Sequence, residues 1–221
     1  MTARPSSVVF LLDVDNTLLD NDSVVADLRR HLGDAFGDEW HQRYWEIFEQ
    51  LRGELGYADY LGALQRFRVE RPMDPRMLEI SRYLLHYPFG FRLFPGALDL
   101  ISRLRQRGPT VILSDGDVVF QPHKVEQSGL WHAVDGAVLI YIHKEQMLHD
   151  VERRYPAERY VMIDDKIRIL DSMKKVWGGR LTTVFVRQGH YAHDAALVAK
   201  YPPADVTIER IGDAMAEEVQ L

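Results

Sequence analysis

Six short runs of apolar residues punctuate this chain: Val8–Leu12, Val111–Leu113, Val138–Ile142, Val161–Ile163, Val184–Val186 and Val206–Ile208. They are hydrophobic nearly throughout rather than at alternate positions. A strand with that pattern is buried on both faces, which parallel sheets achieve by laying helices on either side. Helical patterns do lie between the runs. Ala97, Leu100, Ile101 and Leu104 form one stripe, closed by Gly108-Pro109. Ile167, Leu170, Met173, Lys174 and Trp177 form another, closed by Gly178-Gly179. Strands alternating with helices imply right-handed βαβ units. The expectation is an α/β protein with a Rossmann-like open parallel sheet.

The stretch from about Asp22 to Phe91 has no strand-like run. Trp40, Tyr44, Ile47, Phe48 and Leu51 share one helical face, and so do Tyr57, Tyr60, Leu61, Leu64 and Phe67. Asp74-Pro75 reads as a helix start leading into Met77, Leu78, Ser81, Leu84 and Leu85, and Pro88 and Gly90 mark the return. This segment is too long for a plain crossover. The expected organisation is a core domain from residues 1–20 and 92–221, with an inserted α-helical cap domain over 21–91.

Composition narrows the function. A chain of 221 residues can bury one good core and carry an insert, or form two small domains. Its net charge of -6 does not suggest nucleic acid or an anionic membrane as partner. The absence of cysteine removes disulfides, thiolate metal sites and a cysteine nucleophile, and fits a reducing compartment. No apolar run approaches the roughly 20 residues of a membrane span, and the run before Asp13 is too short for a signal sequence. A cytoplasmic location is expected.

The polar residues that follow the strands carry the chemistry. Asp13 and Asp15 follow the first run, Ser114-Asp115-Gly116 the second, Lys144 the third, and Asp164-Asp165 the fourth. The carboxyl ends of parallel strands share one edge of the sheet, where open α/β folds bind ligands. Carboxylates crowded there need a cation, and all-oxygen donors beside a phosphate favour Mg2+. Asp13 is placed to attack phosphorus as a carboxylate nucleophile. Mg2+ and Lys144 would offset the repulsion between two anions. Asp15 points the same way as Asp13 along an extended strand end, placed to protonate the leaving oxygen and later to deprotonate water. Ser114 and the backbone N–H groups around Val14, Asp15 and Asp115 are available to hold phosphoryl oxygens.

Asp13-Val14-Asp15-Asn16-Thr17, then Ser114, Lys144 and Asp164-Asp165, resemble the four motifs of the haloacid dehalogenase-like superfamily, in that family's order. The resemblance covers about Val8 to Val186, and a helical cap between the first two motifs is common in the family. It implies Asp13 as nucleophile, Asp15 as acid and base, and Ser114 and Lys144 as phosphoryl-binding groups. It implies Asp165 as a direct Mg2+ ligand, Asp164 as a ligand or water-mediated partner, and the Asp15 carbonyl completing the metal's protein shell. Glu145 follows the lysine where the family often has proline.

Other features read as structural. Lys124 is placed on a helix surface, because 121–129 reads as a helix between strands. His190 and His193 lack a third metal ligand and read as surface loop. The insert's aromatic stripe reads as packing rather than a substrate slot. Arg43, Arg52, Arg66, Arg68 and Arg71 read mostly as solvated, with one or two reaching a substrate carboxylate or second phosphate.

Several reactions occur on this scaffold. A dehalogenase of the superfamily lacks the second aspartate of the first motif, and Asp15 is present. A phosphonatase needs a cap lysine, and the first lysine of this chain is Lys124. Receiver domains place the acidic pair first and are shorter. The expectation is a phosphatase acting on a small phosphorylated metabolite. A phosphomutase, or a non-catalytic relative that binds a phosphorylated ligand, remains as the alternative.

Overall fold

The structure, a computed structural model, describes residues 6–216. All six apolar runs are strands: β1 (Ser6–Leu12), β2 (Thr110–Asp115), β3 (Val138–Tyr141), β4 (Ala157–Asp164), β5 (Leu181–Val186) and β6 (Val206–Ile208). They form one parallel sheet in the order β3-β2-β1-β4-β5-β6. Leu12 of β1 lies beside both Ile112 of β2 and Ile163 of β4. The chain first builds outward from β1 in one direction, then crosses back to add β4 on the other side. That reversal leaves a crevice beyond the carboxyl ends of β1 and β4.

The doubly apolar strands divide residue by residue between two packed layers. Val8, Phe10 and Leu12 join one apolar cluster, whereas Val9 and Leu11 join the other. In β4, Val161 and Ile163 face the first layer, and Tyr160 and Met162 the second. Helix α5 (Ala97–Arg105) covers the first face with Ala97, Leu100, Ile101 and Leu104. Helix α9 (Ile167–Trp177) covers the second, and Trp177 stacks on Tyr160 at 4.2 Å between ring centroids.

Between β1 and α5 the chain forms four α-helices: α1 (Asn21–Phe36), α2 (Asp38–Leu55), α3 (Tyr60–Glu70) and α4 (Arg76–Leu85). Helix α1 starts at Asp20, whose carboxylate accepts the Ser23 N–H, and buries Val24, Leu28, Leu32 and Phe36 at a spacing of four. Tyr57 lies in the turn before α3 rather than on its face. In α4 the buried positions are Met77, Ile80 and Leu84, and Leu78 is exposed, so the expected stripe is displaced. The four helices share their apolar cluster with one face of the sheet. Phe120, at the start of α6 (Phe120–Gln127), joins them by meeting Tyr60 at 5.5 Å and Phe89 at 5.8 Å.

Beyond α6 lie α7 (Leu130–Ala133), α8 (Leu148–Arg154), α10 (Gly189–His193) and α11 (Ala195–Val198). Among the described residues no helix is long and apolar enough to cross a membrane.

Candidate active site

Asp13 is the first residue beyond β1, buried, with its N–H donating to the Ile163 carbonyl of β4 at 3.0 Å. The chain then turns tightly, and the Val14 carbonyl accepts the N–H groups of Thr17, Leu18 and Leu19. Asn16 holds the left-handed conformation this turn requires, with φ of 61°. Thr17 ties two strand ends together. Its hydroxyl donates to Asp13 Oδ2 at 3.1 Å and accepts the Asp165 N–H at 3.1 Å.

Lys144 sits in a 3-10 turn after β3 and is fully buried, not solvated. Its ammonium reaches Asp13 Oδ1 at 2.5 Å, Asp164 Oδ2 at 2.7 Å and the Leu113 carbonyl at 3.2 Å. Burial works against its charge, but Asp13, Asp164 and Asp115 outweigh that and hold its pKa above the usual lysine range. Asp115 accepts the Lys144 N–H at 2.7 Å, and burial pushes its carboxyl upward. The Ser114 hydroxyl, also buried, accepts from Gln121 Nε2 at 3.0 Å.

Asp13, Asp164 and Asp165 each offer a carboxylate oxygen within 4.8 Å of the others, and all three are buried. Among the described residues, both Asp165 side-chain oxygens lack any hydrogen-bond partner. Burial, with Lys144 opposing and Asp13 adding, pushes Asp164 up to about 6. Asp165 is driven well above its ordinary value, again chiefly by burial. Carboxylate oxygens that are buried and unpartnered are costly. A hard cation would relieve that cost, so this all-oxygen donor set fits a divalent metal.

The structure therefore brings Asp13, Ser114, Asp115, Lys144, Asp164 and Asp165 to one edge of the sheet. Asp15 is not one of the three clustered carboxylates; it lines a cavity of about 670 Å³ between the helical insert and the strand ends. There it meets Lys124. Contrary to the sequence expectation, Lys124 does not lie on a helix surface. It is 1% exposed, and its ammonium contacts Asp15 Oδ1 at 2.8 Å and Oδ2 at 3.0 Å. The signal was in the spacing: Phe120, Gln121, Lys124 and Val125 are the buried positions of α6, so two polar residues lie on its inward face.

Lys166 was also missed. It lines the cavity and makes no ion pair within 4 Å among the described residues. Burial opposes its charge, but Asp13, Asp165 and Asp164 more than compensate and raise its pKa. Of the insert arginines, Arg43 is taken by Glu70 and Glu46, Arg66 by Glu54, and Arg71 by Asp74. Arg52 reaches the cavity, as does Arg29, which lies over the Trp45 ring at 4.1 Å. Trp45, Phe48 and Tyr60 are both packed and cavity-lining, so the aromatic stripe serves as core and wall at once. His190 is exposed, as a surface residue should be, yet it borders the cavity and contacts Asp22.

A six-stranded parallel sheet with this crevice and polar residues at four strand ends defines a Rossmann-like α/β scaffold. The family model for haloacid dehalogenase-like hydrolases matches residues 8–176. The chain belongs to the haloacid dehalogenase-like hydrolases. A crystal structure of a candidate haloacid dehalogenase-like hydrolase from Burkholderia xenovorans is 64% identical. It covers 95% of this chain and 97% of its own, with a TM-score of 0.90. An L-2-haloacid dehalogenase from Xanthobacter autotrophicus, with chloropropionic acid covalently bound, shares the fold at 17% identity. Its TM-score is 0.60, over 94% of this chain and 96% of its own. A candidate phosphatase from Clostridium difficile shares it at 13% identity. Its TM-score is 0.61, over 98% of this chain and all of its own. No curated protein sequence matches the chain significantly.

Proposed function

We propose that this hydrolase is a Mg2+-dependent phosphatase of small phosphate monoesters, working through an aspartyl-phosphate on Asp13. The observation that carries the reading is Asp15. A second carboxylate two residues beyond the nucleophile, facing the cavity with a side chain 25% exposed, suits protonation of a leaving oxygen. Carbon–halogen cleavage needs no such acid.

In this reading an Asp13 carboxylate oxygen attacks phosphorus, and Asp15 gives a proton to the departing ester oxygen. Asp15 then takes a proton from the water that hydrolyses the aspartyl-phosphate. Lys144, held between Asp13 and Asp164, offsets the charge of the approaching phosphoryl group. The Thr17 hydroxyl fixes the orientation of Asp13. Ser114 and the N–H groups of Val14, Asp15 and Asp115 are the remaining donors for phosphoryl oxygens. Asp13, the Asp15 carbonyl, Asp164 and Asp165 would hold Mg2+, which supplies neutralising charge in the site when bound. The 21–91 insert acts as a cap whose wall of Trp45, Phe48 and Arg52 selects among phosphorylated metabolites.

The test is phosphate release from a panel of phosphorylated metabolites with Mg2+, wild type beside Asp13→Asn. Release that is lost in the variant, with the fold intact, supports the reading. Absence of release from every compound, with orthovanadate binding retained, would replace it with a phosphomutase or a phospho-ligand-binding protein.

A further inference from the structure

Lys124 is a buried cation to which the chemistry above gives no task. It lies on α6 between Phe120 and Val125, with the Phe120 ring centroid 5.9 Å from its ammonium. Burying an ammonium is costly unless it is paired and hydrogen-bonded. Here it is, by three oxygens: both of Asp15, and Asn21 Oδ1 at 3.0 Å. Gln121, one turn earlier, donates to Asp15 Oδ2 at 3.4 Å and to Ser114 at 3.0 Å. Asn21 opens α1, so the same ammonium joins the strand-end turn to the first helix of the insert. An aspartate at the mouth of a cavity would otherwise exchange between rotamers. Two donors from one helix face restrict it to one.

We propose that Lys124, seconded by Gln121, is a positioning residue that aims the Asp15 carboxylate at the leaving-group side of the cavity. This rests on the phosphatase reading, and it makes a distinction that a merely structural lysine would not. When the phosphoryl group moves to Asp13, the ester P–O bond breaks and its electrons stay on the leaving oxygen. An alkoxide departs only as it receives the Asp15 proton, whereas p-nitrophenolate is a stable anion and departs without one. A misaimed Asp15 therefore handicaps alkyl phosphates selectively.

The experiment compares kcat/KM for p-nitrophenyl phosphate and for the alkyl phosphate that wild type hydrolyses fastest, in Lys124→Met, Lys124→Arg and Asn21→Ala. Misplacing a catalytic group by about 1 Å costs on the order of a hundredfold. Lys124→Met should lose about that much on the alkyl ester while the nitrophenyl ester changes far less. Lys124→Arg, which keeps the charge, and Asn21→Ala, which keeps the lysine, should show the same selectivity to a smaller degree. They carry the test should Lys124→Met fail to fold. Equal losses on both esters, or an unchanged alkyl rate, would overturn the positioning role and leave the phosphatase standing. A wild type that releases phosphate from neither ester would remove both readings.

Discussion

Arg52 and Tyr191 are 139 positions apart, and the arginine Nη2 donates to the tyrosine hydroxyl at 2.6 Å. One belongs to the second insert helix and the other to the short helix after β5, and both line the cavity. The bond therefore bridges the insert to the sheet edge across the site. Tyr191→Phe removes the acceptor and keeps the ring that Lys166 overlies at 5.4 Å. A single partly exposed hydrogen bond contributes about 0.5–1.5 kcal/mol. Substrate KM should rise by a factor of roughly two to ten with little change in the melting temperature. An unchanged KM would show that the insert is seated by its apolar contacts alone.

Asp165 gives a second prediction that does not depend on turnover. Its two unpartnered buried oxygens should make the metal-free protein respond strongly to Mg2+. A ligand that binds only the folded state adds about 2.7 kcal/mol at a hundred times its Kd. The melting temperature should climb with Mg2+ and fall back with EDTA, and Asp165→Asn should blunt the rise. Identical melting curves with and without Mg2+ would remove the metal from the site.

These features differ in how far the sequence exposes them. The strands were legible because burial on both faces leaves no polar position in the run, as in Val8–Leu12. Asp13, Ser114, Lys144 and the Asp164-Asp165 pair were legible because polar residues directly beyond such runs must fall at one sheet edge. Helix α1 was not singled out, because its buried residues are interleaved with charged ones such as Asp27, Arg29, Arg30 and Asp34. The partners of Lys124 and Arg52 could not be read at all. Periodicity tells which face of a helix a residue occupies, but not what the fold brings against that face from a hundred residues away.

A third prediction concerns pH. Asp27 of α1 accepts from Tyr87 at 2.5 Å and forms close ion pairs with Arg92 and Arg30. Burial alone would raise its pKa, but the Tyr87 and Arg92 hydrogen bonds outweigh it and hold the carboxyl below its ordinary value. A lowered folded-state value means the contribution to stability is complete above the unfolded value of about 3.9. It is lost as pH falls below that through the folded value. Asp27→Asn should cost about 1–2 kcal/mol near neutral pH. In urea titrations from about pH 7 to about pH 3, the gap between wild type and variant should stay level and then shrink at the acid end. A gap that widens with acid would reverse the assigned sign.

Gly189 gives the last prediction, because it sets how closely the chain after β5 approaches the turn that follows β1. Its φ is 71°, and a Cβ built there would lie 2.4 Å from Asn16 Cβ and 2.5 Å from Asn16 Cγ. Asn16 has little room to retreat. It is itself left-handed, its amide donates to Asp22 at 3.0 Å, and its carbonyl oxygen accepts the Asp22 N–H at 3.1 Å. Asp22 in turn accepts the His190 N–H at 2.8 Å, closing the ring of contacts back onto the glycine's neighbour. Gly189→Ala therefore suffers both a strained φ and a clash, and a residue forced into such a conformation costs of order 1–3 kcal/mol. The displaced Asn16 lies between Asp15 and Thr17, so the shift reaches the group that orients Asp13. Denaturant midpoint and kcat should fall together in Gly189→Ala, and a variant with wild-type kcat would show that the turn tolerates movement the structure says it cannot make.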